Sequence, residues 1–379
     1  MNLHYRLRDY LNLPTHTALG ISLPVWINLL WKNKFAIDFQ YWPKALFITI
    51  TVLLNVPFQV WESLRYSGRI RKTKVTPPVF ILGHPRSGTT FLQYVLSRDP
   101  SFAFCTTTEG LMPNVFLTAG KITEKILQAA MPKTRPQDNV RVGADMPIEE
   151  EFAMGNISYT SWVHGLYFPK NIYKIFDQCV TFSSGDPDIR EYWKRHFDFF
   201  LKKLSFRYPG KKLLLKSPAN TGRLKELYEL YPDARFIHIY RDPFQVYLSN
   251  ERLYEKILPL IGLQKVSNEF IQEHILYAYE HLYKKYLMDR KSIPPNQLIE
   301  FSYEDFVASP LDVVKKVYDY LSLGSFDEAV PFLQKELKGV KDYKTNTYPE
   351  MDNTLRSKIT QRWQFAFDAF GYSSSIKTS

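Results

Sequence analysis

Residues 79–93 read Val79-Phe-Ile-Leu-Gly83-His-Pro-Arg86-Ser-Gly88-Thr-Thr-Phe-Leu-Gln93. An apolar run breaks into a glycine-bounded turn, and an apolar pattern of helical spacing resumes after it. A strand, a tight turn and a helix in that order aim successive backbone N–H groups and the positive end of a helix dipole at one point. Such a point suits a phosphate or a sulfate. The spacing resembles the P-loop G-x-x-x-x-G-K-[ST], with Thr89 standing where the lysine should be. A nucleoside triphosphatase needs that lysine on its β- and γ-phosphates, and the cation this turn carries is Arg86. The turn therefore argues against ATP hydrolysis and for another phosphorylated donor.

The pattern around the turn predicts the fold class. Residues 211–217, Lys-Lys-Leu-Leu-Leu-Lys-Ser, read as a short buried strand, followed by a helix capped at Asn220 or Thr221 and running to about 231. A strand over 234–240 comes next, then helices over about 243–256 and 267–290 and a strand over 297–301. Strand–helix–strand alternation implies a parallel sheet with right-handed crossovers. The expectation is an α/β fold: a P-loop-like three-layer core, its central parallel sheet flanked by helices, plus a helical apolar N-terminal extension. Around it, the turn's own helix covers about 88–98 and a long helix about 187–207. The stretch 101–145 reads as loops and short helices about a site. The run Asp145-Met-Pro-Ile-Glu149-Glu150-Glu151 opens a helix with acids in its first turn. Helices over 310–322, 326–338 and 352–369 complete the core. The implied division is a helical region 1–75 ending in the basic linker Arg65–Lys74, a core domain 76–372, and a flexible tail 373–379.

With 379 residues, 45% of them hydrophobic, the chain suffices for one large domain with an extension. Aromatic residues make up 16%, which suits a deep apolar acceptor pocket, although ordinary core packing accounts for most such rings. A formal net charge of +11 admits three partners: an anionic nucleotide, an anionic membrane surface, or nucleic acid. Nucleic acid ranks last, because the basic residues are scattered and no nucleic-acid motif or zinc spacing appears. Cys105 and Cys179 are too few for a disulfide framework, so a reducing, cytoplasmic setting is expected. No cleavable signal peptide is expected from MNLHYRLRDYLNLP. Residues 18–31 and 45–61 are strongly apolar, with Trp26, Trp31, Trp42 and Trp61 at interfacial spacing and basic residues on their flanks. Three readings stand for this region: a membrane-associated hairpin, a buried helical extension, or a transmembrane helix.

The loop and the segments downstream of it resemble the sulfotransferases that use 3′-phosphoadenosine 5′-phosphosulfate (PAPS). In that family a Pro-[Lys/Arg]-Ser-Gly-Thr-Thr loop cradles the 5′-phosphosulfate; here it reads Pro85-Arg86-Ser87-Gly88-Thr89-Thr90. A second family signature is a strand ending in Arg with a Ser eight residues on, which grip the 3′-phosphate; here these are Arg241 and Ser249. A third is the segment Tyr303-Glu304-Asp305-Phe306 followed by Pro310. The resemblance covers roughly residues 77–325. It implies PAPS as co-substrate, a hydroxyl of a small or lipid-like acceptor, and no metal, since Arg and Lys replace Mg²⁺ in neutralising charge.

The resemblance also assigns roles. Arg86 has the guanidinium fork to hold phosphate and sulfate oxygens together. Lys216, at the end of a core strand, matches the family lysine that touches the transferring group. Many relatives carry a His two or four residues beyond that lysine, but here Pro218 and Asn220 occupy those positions, and neither is a base. Glu109 resembles the glutamate that the tyrosylprotein branch places after its loop helix, and burial would raise its pKa toward that of a base. Asp145, Glu150, Glu151, His84 and His164 are the further candidates. Lys344, in the Lys341–Asn346 stretch, is placed to fold over the nucleotide. Two rival readings remain open: a P-loop phosphoryl-transfer enzyme, and an inactive nucleotide-binding membrane protein.

Overall fold

A computed structural model describes residues 1–10, 13, 16–132, 134–135, 140–339, 348 and 350–374. Among these residues five strands form one parallel sheet: β1 (Val79–Leu82), β2 (Phe102–Ala103), β3 (Lys212–Lys216), β4 (Arg235–Tyr240) and β5 (Leu298–Ser302), in the order β2-β3-β1-β4-β5. The chain leaves β1 for one side of the sheet and later crosses to the other. The crevice beyond the carboxyl end of β1 is thus the switch point where open α/β sheets bind ligands.

The two-residue alternation of a strand sorts this sheet into two cores. Phe80, Leu82, Leu213, Leu215 and Phe236 face one layer, where they meet Trp193 of the Pro187–Arg207 helix and Trp363 of the Asn353–Phe370 helix. Val79, Ile81, Leu214, Ile237 and Ile239 face the other, against Leu92, Val314 and Leu333. Because helices cover both faces, β1 carries four apolar residues in a row, all fully buried.

Most elements lie where the sequence pattern puts them, and four differences have physical causes. The stretch 101–145 is not all loop: Phe116–Ala130 is a fifteen-residue helix, whose Thr123 is buried and whose Ile122 and Ile126 face outward, so its apolar pattern is inverted and reads as irregular. The basic segment after residue 65 is not a linker, since the Trp42–Arg71 helix runs through it. After β3 a 3₁₀ turn, Pro218–Arg223, precedes the Leu224–Leu230 helix. The 243–256 helix extends to Ile261, with Pro259 accommodated in its last turn.

Ala18, Ile21, Trp26, Tyr41, Ile48 and Val52 of the N-terminal region pack in one cluster with Tyr167, Phe168 and Leu263 of the α/β core. Two buried polar ties reinforce this contact. Lys44 Nζ donates to the Leu260 carbonyl, and Glu62 accepts from Lys203 Nζ and from both the amide and hydroxyl of Thr118. Cys105 and Cys179 are buried free thiols.

Candidate functional site

The loop after β1 is held open by backbone conformations that few residues tolerate. Gly83 and Gly88 have φ of +147° and +94°, and Arg86 itself sits at +78°. A Cβ on Gly83 would run into the Ile239 carbonyl, and one on Gly88 would run into the Tyr303 ring. The positive φ at Arg86 costs about 1 kcal/mol or more in a non-glycine residue, strain of the kind that gathers at ligand sites. Gly88 ends the loop as the N-cap of the Thr89–Leu96 helix with no side-chain cap, which leaves its first N–H groups for an anion. Thr221 fixes the other end: its Oγ1 accepts from Gly83 N at 2.7 Å and donates to Gly83 O at 3.2 Å.

The predicted donor-binding residues converge. Arg86 Nε donates to Ser249 Oγ at 2.9 Å, joining the phosphate loop to the Pro243–Ile261 helix that follows β4. Tyr348 donates to the same Oγ at 2.8 Å. Arg241 lies with its guanidinium carbon 4.4 Å from the Tyr303 ring centroid, and its Nη1 makes a long 3.4 Å bond to the Arg86 carbonyl. Asp242 does not pair with it: that carboxylate caps the helix through Gln245 N at 3.0 Å. Arg241 Nε is a buried donor with no partner among the described residues, and Ser217 Oγ, next to Lys216, is another such atom. Buried polar groups left unpaired are costly, so two of them flanking a phosphate loop mark where a ligand's oxygens belong. The donor set (loop amides, Arg86, Arg241, Ser249) fits a nucleotide carrying phosphates at two ends. Pro85, Ser87, Thr89 and Thr90 complete the loop, with Ser87 and Thr89 buried. Lys344 lies outside the described residues.

The candidate acids and bases differ in what engages them. Lys216 is buried at the carboxyl end of β3, and its Nζ donates to Glu149 Oε1 at 2.6 Å. Burial lowers the lysine's pKa, with Glu149 opposing that shift. Glu150 accepts from Lys216 N at 3.0 Å and from Asn220 Nδ2 at 2.6 Å, and burial pushes its pKa up to about 7. Glu151 forms a fully buried pair with Arg223. Glu109 is raised by burial, as a base there requires, but both oxygens are engaged. Its Oε2 accepts from Thr106 N in a capping box and its Oε1 from the Tyr208 hydroxyl, each at 2.8 Å. His164 Nε2 bonds the Gly155 carbonyl, and Asp145 is exposed. Glu149 is the residue that sequence reasoning passed over. Only its place in the Glu149-Glu150-Glu151 run hinted at it, and nothing in that run says which acid faces Lys216.

A cavity of about 430 Å³, counted with its open mouth, lies against this centre. Its walls include His84 and Pro85 of the loop, Pro218 just past Lys216, Asn250 next to Ser249, and His274 and Trp162. Of the two positions beyond Lys216 singled out in the sequence, Pro218 is thus a cavity wall, while Asn220 is buried and bonded to Glu150. Desolvation holds His84 down to about 4 and His274 to about 3, so both imidazoles are neutral. His274 Nδ1 and Trp162 Nε1 are buried without partners among the described residues.

Comparison with known proteins gives the family. The sequence profile of the sulfotransferase family matches residues 77–328. The omega-hydroxy-beta-dihydromenaquinone-9 sulfotransferase Stf3 of Mycobacterium bovis is 30% identical over 355 residues, 93% of this chain and 90% of the relative. The Mycobacterium tuberculosis protein of the same name matches to the same extent. Among solved structures, sulfotransferase STF1 of Mycobacterium tuberculosis superposes with a TM-score of 0.64 at 16% identity, covering 90% of both chains. STF9 of Mycobacterium avium gives 0.62 at 18%, covering 93% of this chain and 97% of its own. The two structures share the fold; the profile and the long sequence match go further, and place this chain in the sulfotransferase family as an enzyme of sulfate transfer.

Proposed function

We propose that this enzyme takes its sulfuryl group from PAPS and delivers it to a hydroxyl of a lipid-like acceptor. The observation that carries the donor is the orphaned Arg241 Nε beside the Arg86–Ser249 hydrogen bond. When bound, PAPS would supply an activated sulfuryl group on a phosphate leaving group. The loop amides, Arg86 and Thr90 would hold its 5′ end, and Arg241 with Ser249 its 3′-phosphate. Lys216 would turn from Glu149 toward the charge that builds on the leaving oxygen. Glu149, only partly buried and released from the lysine, would then take the acceptor's hydroxyl proton. Glu109, with both oxygens engaged by a cap and a tyrosine, is the second candidate for that role. The acceptor would enter the cavity walled by His84, Pro218 and Trp162. Its lipid-like character is supported by that largely apolar lining and by the menaquinone named for the mycobacterial relative.

Calorimetric titration with adenosine 3′,5′-bisphosphate and with ADP, both without Mg²⁺, tests the donor. The expected result is tight binding of the bisphosphate alone, lost in Arg241→Ala. A preference for ADP or a requirement for Mg²⁺ would overturn the reading in favour of phosphoryl transfer.

A further inference from the structure

The Trp42–Arg71 helix is apolar on two opposite sides. Its inward side, with Ala45, Ile48 and Val52, is buried against the core. Its outward side repeats Leu46, Ile50, Leu54, Phe58, Trp61 and Leu64 at spacings of three and four, all exposed, with Leu54 at 67% and Leu64 at 80%. That spacing is one stripe of an α-helix, and from Leu46 to Leu64 it runs about 27 Å. Soluble proteins scatter exposed apolar side chains singly and rarely align them in a stripe. Ahead of the helix in the chain, Trp31 (74% exposed) and Phe39 (86%) are exposed as well. On its flank the Phe116–Ala130 helix adds Ile122 and Ile126.

Charge identifies what covers this stripe. From residue 39 to residue 98 the chain carries eight Lys and Arg, and its one acid is Glu62, which is buried against Lys203. Arg65, Arg69, Arg71, Lys72 and Lys74 are exposed at the carboxyl end of the stripe, and Lys32 and Lys34 are exposed near its other end. Apolar side chains rimmed by cations and interfacial tryptophans match the acyl and headgroup layers of an anionic bilayer. A second copy of the chain would bring the same cations face to face.

We infer that this face seats the enzyme on an anionic membrane, with the Trp42–Arg71 helix lying in the plane of the leaflet. By length and composition alone the helix could cross a bilayer. Yet Lys44 is bonded to the Leu260 carbonyl near one end and Glu62 to Lys203 and Thr118 toward the other. Those buried ties keep one side against protein along most of its length, so lipid cannot surround it. The outward stripe enters the leaflet while the sheet and its phosphate loop stay in water. The inference deepens the lipid-acceptor reading, since a lipid would reach the cavity from the same leaflet, but it does not depend on that reading.

Flotation of the full chain with phosphatidylcholine vesicles, with and without phosphatidylglycerol, is the test. The wild type should float with the phosphatidylglycerol vesicles and remain bound in high salt. Leu54→Glu with Phe58→Glu should reduce binding about tenfold or more, because two inserted side chains become charged. Arg69→Glu with Lys72→Glu should weaken binding to the anionic vesicles alone. Unchanged affinity for adenosine 3′,5′-bisphosphate in both variants would show intact folding and separate this inference from the donor reading. No flotation, or full release by salt, overturns the insertion. So does a wild-type dimer that the Leu54→Glu, Phe58→Glu pair converts to monomer, since a second copy would then own the face.

Discussion

Replacing Gly88 by Ala tests how the two phosphate grips are coupled. Gly88 sits at φ +94°, and an added Cβ would lie 2.8 Å from Tyr303 Cε2 and nearer still to Cδ2. The left-handed backbone costs about 1–2 kcal/mol with a side chain present. Forcing a methyl against a packed ring costs about 1–3 kcal/mol more. The ring cannot yield freely, because the Arg241 guanidinium rests 4.4 Å from its centroid. If Tyr303 moves, Arg241 moves with it and the 3′-phosphate grip is lost; if Gly88 moves, the loop amides lose their aim. Either way most of the total, about 2–5 kcal/mol, falls on the nucleotide site, which at about 1.4 kcal/mol per decade is about thirtyfold or more in affinity. Domains of this kind keep about 5–15 kcal/mol of stability, so the variant should still fold. Calorimetry with adenosine 3′,5′-bisphosphate reads the affinity, and a thermal melt without ligand reads the fold. Adding Tyr303→Ala should relieve the clash and restore part of the melting temperature without restoring affinity, since Arg241 then lacks its platform. Bisphosphate binding by Gly88→Ala within about threefold of wild type would refute the coupling.

Two further outcomes probe the acids. Glu149→Gln should lower kcat by about a hundredfold, as loss of a general base does, and leave bisphosphate affinity within a few-fold; Glu109→Gln should show the larger loss of stability and the smaller loss of turnover, and the reverse ranking would return the base to Glu109. Glu150 supplies a pH test. Its folded pKa near 7 lies above the ordinary carboxylate value, so the folded state binds more protons than the unfolded one between about pH 4.5 and 7. That contribution to stability is fully present below about pH 4.5 and is lost as the pH rises through 7. Glu150→Gln cannot titrate, so its melting temperature should fall less than that of the wild type between pH 5 and pH 8, and an equal fall in both would remove Glu150 as the cause.

The phosphate loop was legible in the chain because it is local, whereas Arg241 and Ser249 stood out only through the resemblance to the PAPS-dependent sulfotransferases. A turn needing positive φ announces itself by glycine. Four of the five β-strands were legible because a short, mainly apolar run bounded by turn residues reads as a strand, whereas β2 is two residues long and lies in the stretch read as loops and short helices. The Phe116–Ala130 helix was not legible, because Ile122 and Ile126 face solvent and blur the apolar period from which a helix is read. The choice among Glu109, Glu149, Glu150 and Glu151 belongs wholly to the tertiary structure. Four carboxylates alike in sequence acquire different partners: a cap and Tyr208, Lys216, Asn220, and Arg223. The N-terminal helix shows the same division. Its hydrophobicity is written in residues 45–61, which allow a buried, a spanning or an interfacial helix. Only the seating of Lys44 and Glu62 on the core shows which side of the helix packs on protein and which, Leu46 to Leu64, is turned outward, because the direction a helix face points is set by what packs behind it.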